Sequence, residues 1–338
     1  MIITAGKNTD RAQMQEKLMS YGLTVHFVER PTSLMAVLAG DTKVLQKDER
    51  AVLEKLGALA FMATSKPHKL VSREFYPTDT VVTIGNVQIG GSQVHVMAGP
   101  CSVETQDQMH KAASGVHAAG CRLIRGGAYK PRTSPYAFQG HGEEGLEYLC
   151  KAARPLGLPI VTELMDIRHL DLFLKHGIEA IQIGTRNMQN FDLLKEIGRT
   201  QIPIILKRGM SATVKEWLMS AEYIAANGNP NIILCERGIR TFESAYRNTL
   251  DITAVMFAKK ETHLPVIVDP SHAGGEAWMV AGLSHAALAI GADGLLIEMH
   301  PNPSQAWSDA EQALNPGELQ DLMVSLNKVA KTMGRTLL

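Results

Sequence analysis

The order of apolar and polar positions divides the chain into two parts with different periodicities. In residues 1–65, short apolar runs alternate with two stretches of helical periodicity, in the order strand, helix, strand, strand, helix, strand. The segments are MIITAG, Asp10 to Tyr21, LTVHFVE, SLMAVLAG, Gln46 to Leu56, and GALAFMAT. This βαββαβ order predicts a small ferredoxin-like domain.

A polar segment, TSKPHKLVSR, follows at residues 64–73 and contains Pro67. Because it interrupts the pattern, we place the domain boundary here and predict one domain at residues 1–65 and a second at residues 66–338. The second domain opens with TVVTIGNVQIGG, in which two short alternating runs flank Gly85 and Asn86. This pattern predicts a β-hairpin.

After the hairpin one unit recurs, which consists of a short β-branched strand, a loop with glycine and polar residues, and an amphipathic helix. The predicted strands are VHVMA, RLIR, PIVTE, AIQIG, PIILK, NIILC, PVIVD and GLLIE, which begin at residues 94, 122, 159, 180, 203, 231, 265 and 294. Eight such units predict an α/β protein with a (β/α)8 TIM barrel. A doubly wound open sheet is the alternative, although it more usually carries a glycine-rich fingerprint after its first strand.

Composition narrows the classes of function. The 338 residues include 34 Lys and Arg against 34 Asp and Glu, without a basic block. Binding of nucleic acid or of an anionic membrane needs a concentrated positive surface, so we expect neither as the main function. No apolar stretch approaches the ~18 residues of a membrane span, and the N-terminus lacks the apolar stretch of a secretory signal, so we expect a cytoplasmic protein.

Chemical groups follow every predicted strand, at the end where the active sites of such barrels lie. Six of these groups are cationic: Arg125, Lys130, Arg132, Arg186, Lys207 and Arg237. In a chain of zero net charge, this cluster predicts a pocket for phosphate or carboxylate groups. Because six cations exceed the need of one phosphate, we expect two phosphorylated substrates, or a phosphorylated carboxylic acid and a second phosphate.

A second set of groups at the strand ends has the chemistry of metal ligands. It consists of Cys101, His272, Glu298 and Asp309. One thiolate, one imidazole and two carboxylates suit a divalent ion such as Mn, Fe, Zn or Co without selecting among them. A lone cysteine is more often a small buried residue than a metal ligand, so the prediction rests on the occurrence of all four residues at strand ends. The four cysteines show no CxxC spacing, and neither a disulfide framework nor a zinc ribbon is predicted.

Seven segments at these strand ends together resemble one enzyme family. They are GPCSVE, RGGAYKPRTSPYAFQG, TRNMQNF, ILKRG, LCERGIRTFE, DPSHAGG and IEMHPNP. They resemble type I beta 3-deoxy-D-arabino-heptulosonate 7-phosphate (DAHP) synthases, some of which carry an N-terminal ferredoxin-like regulatory domain. The resemblance implies a transferase that condenses phosphoenolpyruvate with erythrose 4-phosphate and releases phosphate. This is the first step of the shikimate pathway of aromatic amino acid biosynthesis.

The resemblance also implies roles for individual residues. It makes Cys101, His272, Glu298 and Asp309 the ligands of the metal ion. It assigns phosphoenolpyruvate to Arg125, Lys130, Arg186, Lys207 and Arg237, and the phosphate of the aldose to Arg132 and Thr133. For the chemistry we expect Glu163 to orient the attacking water and Lys130 to serve as general acid. A homotetramer, and tyrosine or phenylalanine as an effector at residues 1–65, are implied by the same analogy.

Three other interpretations stay open at this stage. A 3-deoxy-manno-octulosonate 8-phosphate synthase would use arabinose 5-phosphate, but its loop resembles KANRSS, whereas this chain has KPRTS with Pro131, which favours the four-carbon aldose. Lys207 could be the Schiff-base lysine of a class I aldolase, which the metal set makes the weaker case. A non-catalytic amino acid sensor would be expected to have lost part of the metal set or of the cationic cluster.

Overall fold

The computed structural model describes residues 1–338, and its N-terminal part is a four-stranded antiparallel sheet with two helices. The strands are β1 (Ile2–Gly6), β2 (Thr24–Glu29), β3 (Ser33–Ala39) and β4 (Ala58–Met62), and the helices are α1 (Arg11–Ser20) and α2 (Lys47–Lys55). The strands lie in the order β2-β3-β1-β4. The predicted βαββαβ ferredoxin-like arrangement is confirmed.

Local side-chain chemistry sets the starts of these and later helices. The Asp10 carboxylate accepts a hydrogen bond from the backbone N of Gln13 at 3.1 Å and caps α1. Capping boxes, in which an N-cap side chain and a glutamate three residues later bond each other's backbone, start α2 and the later helices at Val214–Ala226 and Pro316–Thr332. Each cap satisfies backbone N–H groups that the helix itself leaves unpaired.

Eight parallel strands form a closed barrel. They are β7 (Gln93–Gly99), β8 (Leu123–Arg125), β9 (Ile160–Glu163), β10 (Ala180–Ile183), β11 (Ile204–Lys207), β12 (Ile232–Glu236), β13 (Val266–Val268) and β14 (Gly294–Glu298). Each overlaps a predicted strand. β14 pairs with β7 over five residues, from Gly294 opposite His95 to Glu298 opposite Gly99. This pairing closes the sheet, so the (β/α)8 prediction is confirmed and the open-sheet alternative is wrong.

The helices between and after these strands surround the barrel. They are α3 (Gln106–Ala118), α4 (Glu143–Ala153), α5 (Leu170–Lys175), α6 (Phe191–Gly198), α7 (Val214–Ala226), α8 (Ile252–Glu261), α9 (Pro270–Gly274), α10 (Ala277–Ala289) and α11 (Pro316–Thr332). A short strand, β15 (Thr336–Leu337), pairs with the start of β7. None of the helices combines the length and the apolar character needed to cross a membrane.

The predicted hairpin closes one end of the barrel. Its strands are β5 (Val82–Ile84) and β6 (Val87–Ile89). Their four apolar side chains, at positions 82, 84, 87 and 89, belong to the same buried cluster as the inward-facing residues of the barrel strands, such as Met97, Ile205 and Leu296. The N-terminal end of the barrel is therefore filled by side chains, and only the C-terminal end is open to a substrate.

The N-terminal sheet packs its helix-free face against the barrel helix α7. Ile2, Val28 and Met35 belong to the same buried cluster as the outer layer of the barrel. The His26 ring nitrogen Nε2 lies 2.7 Å from the carbonyl oxygen of Ala226, the last residue of α7. The N-terminal sheet therefore contacts α7 at its C-terminal end.

The segment between the two parts of the chain lies on the barrel. The buried Glu222 carboxylate accepts hydrogen bonds from the backbone N of Leu70 at 2.9 Å and of Val71 at 3.1 Å. The backbone N of Thr80 donates to the carbonyl of His263 at 2.8 Å. These contacts agree with a boundary near residue 65, and the division into residues 1–65 and 66–338 stays a prediction.

Candidate active site

A cleft of about 330 Å³ lies at the open, C-terminal end of the barrel. Only two of its 19 lining residues are hydrophobic, so the cleft is built for polar ligands. It brings together eleven residues that the sequence singled out: Cys101, Arg125, Lys130, Arg132, Thr133, Glu163, Arg186, Lys207, Arg237, His272 and Asp309. Glu298, the remaining predicted residue, is buried directly behind His272.

The four predicted metal ligands converge. One donor atom from each of Cys101, His272, Glu298 and Asp309 lies within 4.8 Å of the other three. Cys101 Sγ lies 2.9 Å from Asp309 Oδ2, and His272 Nε2 lies 3.3 Å from Glu298 Oε1. The residues come from the loop after β7, from α9, from the end of β14 and from the loop after it. A buried set of one sulfur, one nitrogen and two carboxylates fits a borderline divalent ion.

Asp269 fixes the orientation of His272. Its Oδ1 accepts a hydrogen bond from the backbone N of His272 at 2.9 Å, and its Oδ2 lies 2.7 Å from His272 Nδ1. The second contact places the ring proton on Nδ1 and leaves Nε2 free toward the metal ligands. Oδ2 also accepts from Lys207 Nζ at 2.5 Å. Asp269 therefore contacts both a predicted metal ligand and a predicted substrate-binding cation.

Arg125 and Lys130 contact two of the predicted ligands, Glu298 and Cys101. Arg125 Nη1 lies 3.1 Å from Glu298 Oε1, and Lys130 Nζ lies 2.9 Å from Cys101 Sγ. Lys130 Nζ also donates to the carbonyl oxygen of Cys101 at 2.8 Å. Burial of charge is costly unless each charge is paired, so these contacts stabilise the ligand set in the folded chain.

Burial and neighbouring charges set the protonation of the ligands. Burial, reinforced by Glu298, raises the pKa of the Cys101 thiol to about 11. Burial also lowers the pKa of His272 despite the opposing effect of Asp269, so its imidazole is neutral at pH 7. For Asp309, burial acts to raise the pKa, but the hydrogen bond from Cys101 and the positive charges of Arg247 and Lys130 outweigh it, and the pKa is lowered.

The predicted cations differ in how far the chain itself satisfies them. Burial lowers the pKa of Arg237, whose Nε is buried without a hydrogen-bond partner. Arg132 donates from Nε to the carbonyl of Phe138 at 3.1 Å, whereas its Nη2 is buried and unpartnered. Buried donors are nearly always satisfied in native proteins, so these unpaired groups in the cleft indicate an anionic ligand.

Adjacent cations at the end of β11 point in different directions. Lys207 lines the cleft, whereas Arg208 forms ion pairs with Glu236 at 2.9 Å and Asp251 at 3.0 Å and does not line it. Neighbouring residues of an extended strand face opposite sides of the sheet, which explains the difference. Only one of these two cations is available to a ligand.

Several lining residues were not found from the sequence. They include Gln182, Arg240, Arg247 and Asn248. Gln182 lies within β10, and its amide contacts the Glu163 carboxylate at 3.4 Å. The two arginines belong to the long loop after β12, where the run RGIRTFESAYRN was itself a signal of cationic character.

The loop that carries Asp309 is held to the loop after β7. The hydroxyls of Ser102 and Ser308 lie 2.5 Å apart, and the backbone N of Trp307 donates to the Glu104 carboxylate at 2.8 Å. Asp309 has φ of +52°, and no other non-glycine residue of the chain has a positive φ. Aspartate tolerates this left-handed conformation better than most residues, and its presence at a ligand fits a functional constraint.

Metal affinity is expected to increase with pH through Cys101. The metal-free thiol has its pKa near 11, whereas a metal binds the thiolate, so binding must release this proton. Below that pKa the thiolate fraction, and hence the affinity for Zn²⁺, rises about tenfold per pH unit. The neutral His272 adds no further dependence near pH 7. Competition with a chelator at several pH values measures this slope.

Two variants make the pH test specific. Cys101→Asp replaces the thiol with a group that is ionised at neutral pH and should flatten the dependence. Cys150→Ala removes a cysteine outside the cleft and should leave it unchanged. A Zn²⁺ affinity of the unaltered chain that does not vary with pH would contradict the assignment of Cys101 as a thiolate ligand.

Comparisons with known proteins agree with this geometry. The family model described as the DAHP synthetase I family matches residues 74–335. Phospho-2-dehydro-3-deoxyheptonate aldolase of Thermotoga maritima is 46% identical over 315 residues, which cover 93% of this chain and 92% of that protein. The 2-dehydro-3-deoxyphosphooctonate aldolase of Geobacter metallireducens is 31% identical over 267 residues, 73% of this chain and 96% of that one.

Solved structures give the same result. A crystal structure of the Thermotoga maritima DAHP synthase superposes with a TM-score of 0.80 at 43% identity and covers 100% of this chain and 99% of that one. A truncated form of the Thermotoga maritima enzyme covers 80% of this chain and 98% of its own, with a TM-score of 0.74 and 47% identity. From the site geometry, the family match and these superpositions, we conclude that the chain belongs to the DAHP synthetase I family.

Proposed function

We propose that this chain is a 3-deoxy-7-phosphoheptulonate synthase, which condenses phosphoenolpyruvate with erythrose 4-phosphate and releases inorganic phosphate. The observation that carries the proposal is that the six cationic side chains singled out in the sequence, together with Arg240 and Arg247, line one cleft at the open end of the barrel, beside the four converging side chains that suit a metal ion. A phosphorylated carboxylic acid and a phosphorylated aldose together carry the anionic groups that this cluster suits. The predicted cytoplasmic location and homotetrameric assembly stay predictions.

The proposed substrate contacts follow the distribution of cations. Phosphoenolpyruvate would bind Arg125, Lys130, Arg186, Lys207 and Arg237. The phosphate of the aldose would bind Arg132 and Thr133, on the loop after β8. The unpartnered buried donors of Arg237 and Arg132 support this division, because each substrate would then satisfy one of them.

The proposed metal site supplies electrophilic catalysis. A divalent ion held by Cys101, His272, Glu298 and Asp309 would act as a Lewis acid on the aldehyde of the aldose. Mn, Fe, Zn and Co all suit this donor set. The carbon–carbon bond forms between C3 of phosphoenolpyruvate and C1 of the aldose, and the aldehyde oxygen gains a proton.

Lys130 is our proposed source of that proton. Its ammonium group has three N–H donors, of which the sulfur and the carbonyl oxygen of Cys101 accept two. The third donor is available to a substrate in the cleft that Lys130 lines. Lys130 thus presents an N–H donor beside the ligand set, which supports its proposed role as general acid.

Glu163 is our proposed base for the water that attacks C2. Its carboxylate lines the cleft and is held from one side by the Gln182 amide. Water adds to C2 and gives a proton to the carboxylate, and the resulting phosphohemiketal loses inorganic phosphate. The atoms of both substrates and of one water are then accounted for by the seven-carbon product and phosphate.

The alternative interpretations are less well supported. The octulosonate relative matches 73% of the chain at 31% identity, against 93% at 46% for the heptonate relative, which agrees with the KPRTS loop. Lys207 Nζ lies 2.5 Å from Asp269 Oδ2, and this contact together with the metal set makes a Schiff-base role the weaker case. The metal set and the cationic cluster are both complete, which argues against a non-catalytic sensor.

A phosphate-release assay tests the proposal. With phosphoenolpyruvate, erythrose 4-phosphate and Mn²⁺ we expect turnover, loss of activity with chelator, and recovery when metal is restored, because the ligand set supplies the electrophile. Arabinose 5-phosphate in place of erythrose 4-phosphate should react more slowly. Faster turnover of the five-carbon sugar would identify the other enzyme, and no release with Mn, Fe, Zn or Co would favour the sensor.

Gly184→Ala tests Glu163 without altering its chemistry. A Cβ on Gly184 would overlap the Glu163 carboxylate and lie 2.8 Å from its Cδ, so the carboxylate must shift from its position beside Gln182. We expect kcat to fall about 10²-fold, as for Glu163→Gln. Steady-state kinetics measure the effect.

Gly282→Ala is the matched control for that substitution. A Cβ at Gly282 has no other atom within 4 Å, so kcat should be unchanged and the free energy of unfolding equal or higher. Full activity of Gly184→Ala would contradict the role of Glu163.

We extend the proposal to residues 1–65 as a regulatory domain that binds an aromatic amino acid. Residues 66–338 retain the contacts of Leu70, Val71 and Thr80 with the barrel, so we expect this part to fold alone and to keep its activity. Tyrosine or phenylalanine should inhibit the full chain only. Activity assays on both proteins, after a check of their circular dichroism, measure this, and equal inhibition of the truncated chain would contradict the regulatory role.

A further inference from the structure

Two residues outside the predicted set connect the carboxylate ligands to each other. Arg247 Nη1 lies 3.0 Å from Asp309 Oδ1 and 2.5 Å from Gln312 Oε1. The Gln312 amide nitrogen donates to Glu298 Oε2. Asp309, Arg247, Gln312 and Glu298 therefore form a continuous chain of hydrogen bonds. Because a guanidinium only donates and a carboxylate only accepts, the orientation of the Gln312 amide is fixed by its partners.

Arg247 is also tied to the segment that carries His272. Its backbone N donates to the carbonyl of Gly274 at 3.2 Å, and the Asn248 side chain donates to the carbonyl of His272 at 3.0 Å. Gly275 has φ of +81°, and a Cβ there would lie 2.5 Å from the Cβ of Arg247. The close approach of the two segments therefore requires glycine at position 275.

Arg247 supplies a positive charge to the one anionic ligand that neither Lys130 nor Arg125 contacts. Ionised Cys101, Glu298 and Asp309 carry three negative charges, so a divalent ion would leave one uncompensated. Lys130 and Arg125 contact the first two, and both also face the proposed phosphoenolpyruvate site. Arg247 supplies the cation beside Asp309. Each anionic ligand thereby has its own positive partner, which offsets the cost of burying it.

We infer that Arg247 and Gln312 are positioning residues that hold Asp309 and Glu298 in the arrangement that binds the metal. The inference rests on the metal site proposed above and adds two residues to it. Preorganised ligands need no rearrangement when the ion binds, and loss of such outer partners typically weakens metal affinity 10- to 100-fold. The two residues contact the ligands and need not touch a substrate.

Binding of Co²⁺ to the full chain tests the inference. Chelator competition gives the affinity, and the thiolate-to-Co²⁺ absorption band reports the geometry at Cys101. Arg247→Gln and Gln312→Met should each weaken Co²⁺ binding about 10- to 100-fold. The double variant should lose less than the product of the two effects, because both substitutions break one chain of contacts. Arg247→Lys should recover part of the loss, since it restores a charge beside Asp309 but cannot bridge to Gln312.

Arg240→Gln is the matched control. Arg240 lines the same cleft and lies on the same loop, but its side chain makes no hydrogen bond to a ligand. Its loss should leave Co²⁺ affinity unchanged. Circular dichroism of the metal-free proteins establishes whether each variant folds. If Arg247→Gln does not fold, the Co²⁺ affinities of Gln312→Met and Arg247→Lys test the inference.

The outcomes separate the inference from the proposed function. Unchanged Co²⁺ affinity in Arg247→Gln and Gln312→Met would overturn the positioning role while leaving the metal site intact. An equal loss in Arg240→Gln would overturn it as well, because the effect would then be one of general charge. Failure of the unaltered chain to bind Co²⁺ would reject the metal site and the inference together.

Discussion

A single carboxylate oxygen, Oδ2 of Asp269, contacts both a proposed metal ligand and a proposed substrate-binding cation. It lies 2.5 Å from Lys207 Nζ and 2.7 Å from His272 Nδ1, and Asp269 is 1% exposed. Burial acts to raise the pKa of Asp269, but His272 and Lys207 outweigh it and hold the pKa well below its usual range. The charged carboxylate therefore orients a proposed metal ligand and a proposed substrate cation at the same time. A change at either partner is transmitted to the other through one atom.

The closed barrel provides the second constraint. The hairpin at residues 82–89 fills its N-terminal end with apolar side chains, so the polar groups collect at the opposite end. Short strands with buried β-branched residues place the terminal residues Arg125, Glu163, Lys207 and Glu298 at that end. All four are buried. Arg125 pairs with Glu298 and Lys207 with Asp269, in both cases between strand ends that are separated by one strand, and the Gln182 amide contacts Glu163. Pairing of charges between strand ends thus offsets the free-energy cost of burying them.

The sequence predicted what depends on local pattern. The eight strands follow from short β-branched runs of similar spacing, and the ligand set follows from looking at what stands after each run. Strand alternation could also have predicted that the adjacent residues Lys207 and Arg208 face opposite sides of the sheet. Only Lys207 faces the cleft. That distinction needed no tertiary information, only the period of two.

Contacts between distant loops could not be predicted in this way. Arg247 lies 62 positions from Asp309 and 65 from Gln312, and each bond depends on how separate loops meet. Gln312 lies in a short 3-10 helix without any motif, and its side chain is informative only through its partners Arg247 and Glu298. The contacts of Asp269 could not be predicted for the same reason. An aspartate before a proline is already explained by its local role in a turn, and nothing in the sequence indicates its contacts with distant residues.

The position of the N-terminal domain limits how it can act on the cleft within one chain. α7 begins at Val214, shortly after Lys207, and its 13 residues span about 20 Å. The N-terminal sheet contacts its other end, at Ala226, through His26. An effector bound to residues 1–65 can therefore reach the cleft by changing how α7 or the segment at residues 66–80 packs on the barrel, or by a contact that a second copy of the chain supplies. Either route requires that the effector bind two arrangements with different affinity, since coupling between sites has no other source.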